Sequence, residues 1–558
     1  PTVAGVLANT EGEEATDVLA LDPKNELTID SKAIGCGPDD AMSIRHIVTR
    51  PSYLTQWTWR PEDQPGLRTF SLRVHPFQFA IVPQGGIPGN TEFHLTPMAW
   101  LNQMFTYWRG TIKITVQVVC SNFHRGRLRL HYDPLIGTAT PGVPMEWAGG
   151  FSRIIDISTE RQFEMPIAMQ QPVSYLYTEA ITDNIPQQTY TTSPSGIPAQ
   201  LAIDNGVFSI EVLNRLTSPE STGDNDVSVN IWVAGGDDLE FAGPEDKFNA
   251  VSFWPVSQPV AFRSEAEFTQ GEATADLATP SLQSTNAPLT ADPVGNPIEM
   301  PPINLLYMGE TIKSIASLLQ RYCYHTSYIS TPPTVAVSTP IFWSSRDTRF
   351  PRARGYDPTG TDVVSLVRGN LCKMTHVSYL TVGFVAHRGG IRRKCQFIRT
   401  RNSTLEPGAG GTAIAESSNI VDKNVPFIVR REAPTLDPRD LSLNAYRALG
   451  TNDAYVSGAV ERSVPSTWEG ADLTSCEQNN VLEFTLPFYR NLRFVSGQTP
   501  DKLEQSHEYF TLSAELKGPN NGNYRVATYL AASHDFRLMW FLNAPVVYFY
   551  SAPDPLPP

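Results

Sequence analysis

Two short acidic segments carry the side chains best suited to reaction chemistry. Asp237-Asp238-Leu239-Glu240-Phe241 and Ser533-His534-Asp535-Phe536 each follow a run that reads as a last strand. A carboxylate at such a strand end can activate water, hold a metal, tie down a turn or pair with a neighbouring Arg. Asp237, Asp238 and Asp535 are therefore the candidate reactive groups. A second constellation is basic. Residues 343–401 hold ten Arg and two Lys against three Asp, with Arg388, Arg392, Arg393 and Lys394 at its centre. Phosphate contact needs only Lys and Arg, and the same charges could pair with acidic arms of neighbouring subunits. Solvated charge on alternating strand faces is the plain alternative.

Other enzyme signals are missing. The chain has no G-x-S-x-G, no Walker loop, no H-E-x-x-H and no EF-hand loop. The Gly-rich run from Gly408 lacks the strand-to-helix setting of a phosphate loop, so a flexible loop is expected. Six cysteines lie far apart with no C-x-x-C, which predicts isolated thiols in a reducing compartment and no cysteine metal site. No cofactor or metal is expected. No run of 18 apolar residues exists, so no transmembrane helix is predicted. The sequence begins Pro1-Thr2-Val3, without an initiator Met or signal-peptide pattern. A processed, soluble, cytosolic product is the expectation.

The elements that must position these residues follow from composition. At 558 residues, two to four domains are expected. Only 18% of residues are charged, and 46 Pro with 38 Gly suit strands joined by turns rather than helices. Net charge is −14, which argues against a globally basic nucleic-acid coat. Residues 1–40 alone hold nine acidic and two basic side chains. A basic packaging arm is absent there.

Internal similarity then organises the chain. Asp39 to Arg50 and Glu310 to Arg321 share Ser-Ile and a closing Arg at an offset of 271. Each has apolar residues at helical spacing and leads into an aromatic stretch, which predicts a short capped helix feeding a first strand. Arg109-Gly110-Thr111 answers Arg388-Gly389-Gly390 at 279. Phe163-Glu164-Met165-Pro166-Ile167 answers Phe484-Thr485-Leu486-Pro487-Phe488 at 321, and Asp237-Asp238-Leu239 answers His534-Asp535-Phe536 at 297. Preserved order with drifting offset is the signature of a duplicated domain with loop insertions. Period-two runs at 111–119, 127–132 and 227–233 read as strands. A longer helix is predicted before each Arg-Gly pair, over 97–108 and 362–373.

The resulting division is an extended arm at 1–38, a first β-sandwich at 39–248, a linker or arm at 249–303 and a second sandwich at 304–558. Loops at 402–418 and 434–472 read as insertions, the usual carriers of surface function.

Several landmarks resemble capsid proteins of picorna-like positive-strand RNA viruses, most closely the dicistrovirus and marine algal (marnavirus-like) branches. They are Asp40-Ala41-Met42-Ser43-Ile44 with Arg50-Pro51-Ser52-Tyr53-Leu54, and Asn122-Phe123-His124-Arg125-Gly126-Arg127-Leu128. In the second half they are Gly309 to Ile315, Leu318 to Tyr322, and Leu486-Pro487-Phe488-Tyr489 with Leu492-Arg493-Phe494. The resemblance implies an all-β chain of two eight-stranded antiparallel jelly rolls with extended arms and a few short helices. It also implies a structural role in the icosahedral shell of a non-enveloped virion, assembled in the host cytoplasm. Expected partners are copies of the chain, at least one further jelly-roll capsid protein, a small internal protein, genomic single-stranded RNA and a host receptor. In the family these jelly rolls are normally separate mature chains. Gln270-Gly271, in the exposed linker, is accordingly a candidate protease junction. An Asp-Asp-Phe motif in the family is proposed to assist autolytic maturation. Here Leu239 replaces Phe in the first copy and His534 replaces Asp in the second.

The competing class is a two-domain β-sandwich that binds or cleaves carbohydrate. Its 10 Trp and 20 Tyr would line sugar sites, with a carboxylate pair for acid-base work.

Overall fold

The computed structural model describes residues 17–20, 40–82, 91–134, 150–181, 190–192, 202–218, 225–254, 289–290, 303–330, 341–357, 362–364, 367–400, 426–432, 468–475, 479–490, 492–497, 509–516 and 523–549. A two-residue strand, β1 (Asp17–Val18), comes first. The first half then supplies β2 (Ser52–Trp59), β3 (Arg68–Arg73), β4 (Ile112–Val119), β5 (Arg125–Asp133), β6 (Phe151–Asp156), β7 (Gln162–Ile167), β8 (Val207–Thr217), β9 (Val227–Gly235) and β10 (Leu289–Thr290). The second half supplies β11 (Cys323–Ser330), β12 (Ile341–Thr348), β13 (Ile391–Thr400), β14 (Pro426–Glu432), β15 (Ala471–Ser475), β16 (Val481–Leu486), β17 (Tyr509–Leu516), β18 (Asn523–Ala532) and β19 (Val546–Phe549).

Sheet order repeats in the two halves. In the first, β2-β9-β4-β7 forms one sheet and β3-β8-β5-β6 the other. In the second the sheets are β11-β18-β13-β16 and β12-β17-β14-β15. Counting each set of eight strands in chain order, both give first-eighth-third-sixth and second-seventh-fourth-fifth. That interleaving is the jelly roll. All pairings within these four sheets are antiparallel.

Period-two patterning creates the cores. Ile112, Ile114, Val116 and Val118 on β4 are buried, as are Val227, Val229, Ile231 and Val233 on β9. In the second sandwich, Cys395, Phe397, Leu482, Phe484 and Val526 of one sheet cluster with Phe427, Val429, Phe510 and Leu512 of the other. Phe397 stacks on Phe427 with centroids 3.6 Å apart.

The helices are short. The lead-in pair α1 (Ile44–Val48) and α3 (Ile315–Leu319) lie 271 residues apart, as the matched segments predict. The helices before the Arg-Gly pairs differ from expectation. Over 97–108 only α2 (Pro97–Asn102) is helical, and Phe105–Arg109 is already a strand. Over 362–373 there is no helix. Asp362–Val364 and Val367–Asn370 are strands, and α4 spans His376–Thr381. The β-branched Val363, Val364 and Val367 favour the extended chain. Thr375 starts the helix by accepting from the Ser378 amide, as Thr96 accepts from Ala99 at the head of α2.

The chain divides into two compact units made of interleaved segments. One takes its residues from 1–42 and 314–542, the other from 43–313 and 543–553. Strand β1 adds to β16 in parallel, pairing Asp17 with Phe484 and Val18 with Thr485. Strand β10 adds to β7 in parallel, pairing Leu289 with Phe163 and Thr290 with Glu164. Those acceptor residues are the segments matched at an offset of 321. Near the C-terminus, β19 pairs with the strand Glu92–Leu95 and with Val251–Ser252 in the first sandwich's unit.

Candidate functional site

The acidic strand-end segments are built alike and do the same job. Gly110 (φ +121°) and Gly389 (φ +115°) start the turn before β4 and β13. A Cβ at Gly110 would collide with the Asp238 carbonyl, and one at Gly389 with Phe536 Cα. Only glycine tolerates both the conformation and the approach. The carboxylate that follows β9 or β18 then closes the turn. Asp238 accepts from the Thr111 amide at 3.2 Å and from its hydroxyl at 2.9 Å. Asp535 accepts from the Gly390 amide with both oxygens, at 3.0 and 3.1 Å. Leu239 and Phe536 beside them are buried. Each jelly roll thus carries one carboxylate lock joining its third strand to the turn after its eighth. Asp237 stands apart: it is exposed and pairs with exposed Arg45 at 3.1 Å.

The basic residues are spread through the second sandwich rather than gathered into a patch. Arg392 and Arg393 are fully buried and Lys394 nearly so. Arg392 donates to the Gln320 carbonyl at 2.6 Å and lies over the Tyr322 ring. Lys394 covers the same ring at 4.2 Å and pairs with Glu483 at 3.1 Å. Arg393 faces the other way. It donates to the carbonyls of Thr348 (2.9 Å) and Arg349 (3.1 Å), stands 3.8 Å from Asp347 and lies over Phe510. Strand alternation places 392 with 394 and 393 with 395. Arg388, half-buried, donates to the carbonyls of Leu492 and Arg493 and stacks on Phe488. Burial pulls its guanidinium below the ordinary value, with Asp535 opposing. A charge sealed among carbonyls and rings offers no surface to a phosphate, so Arg392 and Arg393 do not make a solvent-facing nucleic-acid contact in this fold.

Burial also sets the histidines. His325 and His376 are held down to about 4, chiefly by burial. His387, packed 4.5 Å from the Phe350 ring, is lowered further for the same reason.

Sequence reasoning missed the densest ion cluster. Arg73 is buried and grips Asp204 in two contacts, Nε to Oδ2 at 2.8 Å and Nη2 to Oδ1 at 3.0 Å. Glu179 lies 3.3 Å away, and His75 is 3.6 Å from Glu179. These residues span more than a hundred positions, and no local pattern marks them. Gln270 and Gly271 lie outside the described residues, as do 402–418 and 434–467. Among the described residues, no group of three His, Cys, Asp or Glu side chains could hold a metal, and no helix is long and apolar enough to cross a membrane.

Locks, buried ion clusters and augmented sheet edges define a class: a tandem jelly-roll structural protein. No protein-family profile matches the chain. It is 28% identical over 248 residues to the structural polyprotein of cricket paralysis virus, covering 43% of this chain and 26% of that one. A 140-residue stretch is 30% identical to the genome polyprotein of human parechovirus 5, covering 25% of this chain and 5% of the polyprotein. Among solved structures, a marine algae virus of the order Picornavirales is 32% identical, covering 46% of this chain and 94% of that one, with a TM-score of 0.42. The Triatoma virus empty capsid is 20% identical, covering 44% of this chain and 87% of that one, with a TM-score of 0.35. The chain spans about a quarter of the cricket paralysis virus polyprotein. On these sequence identities, it belongs to the picorna-like virus capsid proteins.

Proposed function

We propose that this chain is a building block of the icosahedral shell of a non-enveloped picorna-like virus, enclosing single-stranded RNA. The observation that carries the reading is the repeated jelly roll with matched locks, in a chain that shares 32% identity with a marine algae virus protein over 94% of that protein. Rigid sandwiches with tied strand ends pack as units, and binding energy accumulates over many repeated interfaces. The partners that fit are copies of the chain, at least one further jelly-roll protein, a small internal protein, the genome within and a host receptor outside. The chain acts in the virion, after assembly in the host cytoplasm.

The carbohydrate reading has no site to support it. The lock carboxylates Asp238 and Asp535 are engaged by backbone amides and sit in separate jelly rolls. For RNA, contact falls to side chains other than Arg392 and Arg393. Any part of the acidic motif in autolytic maturation falls to Asp237, the carboxylate left exposed. Asp237→Asn is then expected to leave assembly intact and stop internal cleavage. Cleavage at an unaltered rate removes the motif from maturation.

Electron microscopy of native material containing the chain tests the main proposal. Uniform closed shells are expected, whereas only small discrete oligomers would overturn it.

A further inference from the structure

We infer that the two halves of this sequence hold each other by reciprocal strand exchange, so that the covalent link between them is dispensable once the chain has folded. The N-terminal arm lies ahead of the first sandwich in sequence yet completes the second. Asp17 and Val18 pair in parallel along the edge strand β16. The Leu19 amide donates to the Thr485 carbonyl at 3.1 Å. The Leu19 side chain is 2% exposed and sits in the core cluster with Phe397, Phe427 and Phe484. Its backbone passes so close to Gly470 that a Cβ there would stand 3.0 Å from the Leu19 carbonyl oxygen. The second sandwich is therefore shaped around this arm.

The far end of the chain does the converse. Strand β19 follows the second sandwich in sequence yet enters a sheet of the first sandwich's unit, between Glu92–Leu95 and Val251–Ser252. Val547 is fully buried there, and the Tyr548 hydroxyl donates to Glu92 at 3.2 Å. Without β19, both neighbours lose the backbone partner on that side. Each compact unit thus contains a strand from the other half of the sequence. Main-chain pairing supplies attachment, and one buried apolar side chain on each strand supplies the anchor. Two attachments also act together, because release of one leaves the other to hold its partner at high effective concentration.

The inference is independent of the capsid reading and is tested on unassembled full-length protein. A recognition sequence for a specific protease is inserted between Gln270 and Gly271 and cut, with completion checked by denaturing electrophoresis. Light scattering after size-exclusion chromatography is expected to give one species at the uncut mass of 61.7 kDa. Two separate fragments would overturn the inference. Leu19→Asp combined with truncation after Leu542 is expected to let the cut halves separate while the uncut variant elutes at a single mass. If the cut double variant stays together as firmly as the cut parent, the clasp is not what holds them and the inference fails. Should the double variant misfold, hydrogen exchange on the cut parent decides. Retained slow exchange of the Leu19 amide supports the clasp, and its loss on cutting overturns it.

Discussion

At the residue scale, the glycine-carboxylate lock explains why two loosely similar motifs recur. An Asp after the last strand finds a backbone amide beyond a left-handed glycine, once in each half. Gly389→Ala must adopt φ near +115° and place a methyl against Phe536. Strain and overpacking together should cost about 2–5 kcal/mol. The expected readout is a lower denaturant midpoint with an unchanged slope, and Gly110→Ala should behave alike. An unaltered midpoint in both would mean the turn relaxes without loss. Asp535→Ala removes a charge-assisted acceptor from the Gly390 amide, which predicts a loss of about 1–3 kcal/mol. Asp535→Asn keeps an acceptor and should recover part of it. These carboxylates were legible in the sequence as a matched pair. Their role was not, because a carboxylate's function depends on which amide the fold brings to it.

At the scale of elements, the matched offsets located more than local propensity did. The lead-in helices and the alternating strands are where the sequence places them. The helix expected at 362–373 is instead α4 at His376–Thr381. Carried forward from Pro97, the Arg-Gly offset of 279 points to His376, so the signal was present and outweighed by a broader apolar run. Short helices inside β-proteins are fixed by caps and tertiary burial more than by propensity. All six α4 residues are buried, and Thr375 forms a capping box with Ser378. Thr375→Ala should lower stability by about 0.5–2 kcal/mol, measured by chemical denaturation. Thr375→Ser should recover most of that loss. If Ala and Ser behave alike, the cap contributes nothing and packing alone holds the helix.

At the scale of the whole molecule, buried histidines couple folding to pH. His325 and His376, with folded values near 4, lie well below the ordinary 6.5. The folded state therefore prefers them neutral, and unfolding takes up protons once the pH drops below 6.5. Their contribution is complete above that value, is lost progressively between 6.5 and about 4, and changes no further below. Each proton gives a slope of about 1.4 kcal/mol per pH unit in that window. The melting temperature should fall steeply from pH 6.5 to 4.5. His376→Gln, which retains a donor for the Leu319 carbonyl, should reduce proton uptake on unfolding by about one at pH 5. A profile identical to the parent's would show that His376 titrates elsewhere.

The sequence by itself determined the class of fold, the duplication, the strands and the family, because alternation, turn composition and repeated order are local or linear properties. Only the tertiary structure decided that Arg392 and Arg393 are buried supports rather than a surface patch. A run of basic residues on a strand reads the same in sequence whether its faces meet solvent or a ring such as Tyr322. The same holds for Arg73 with Asp204, and for the exchange of β1 and β19 between halves. Those pairings join residues a hundred or more positions apart. Their energy comes from excluding water around groups that meet only after the chain has folded.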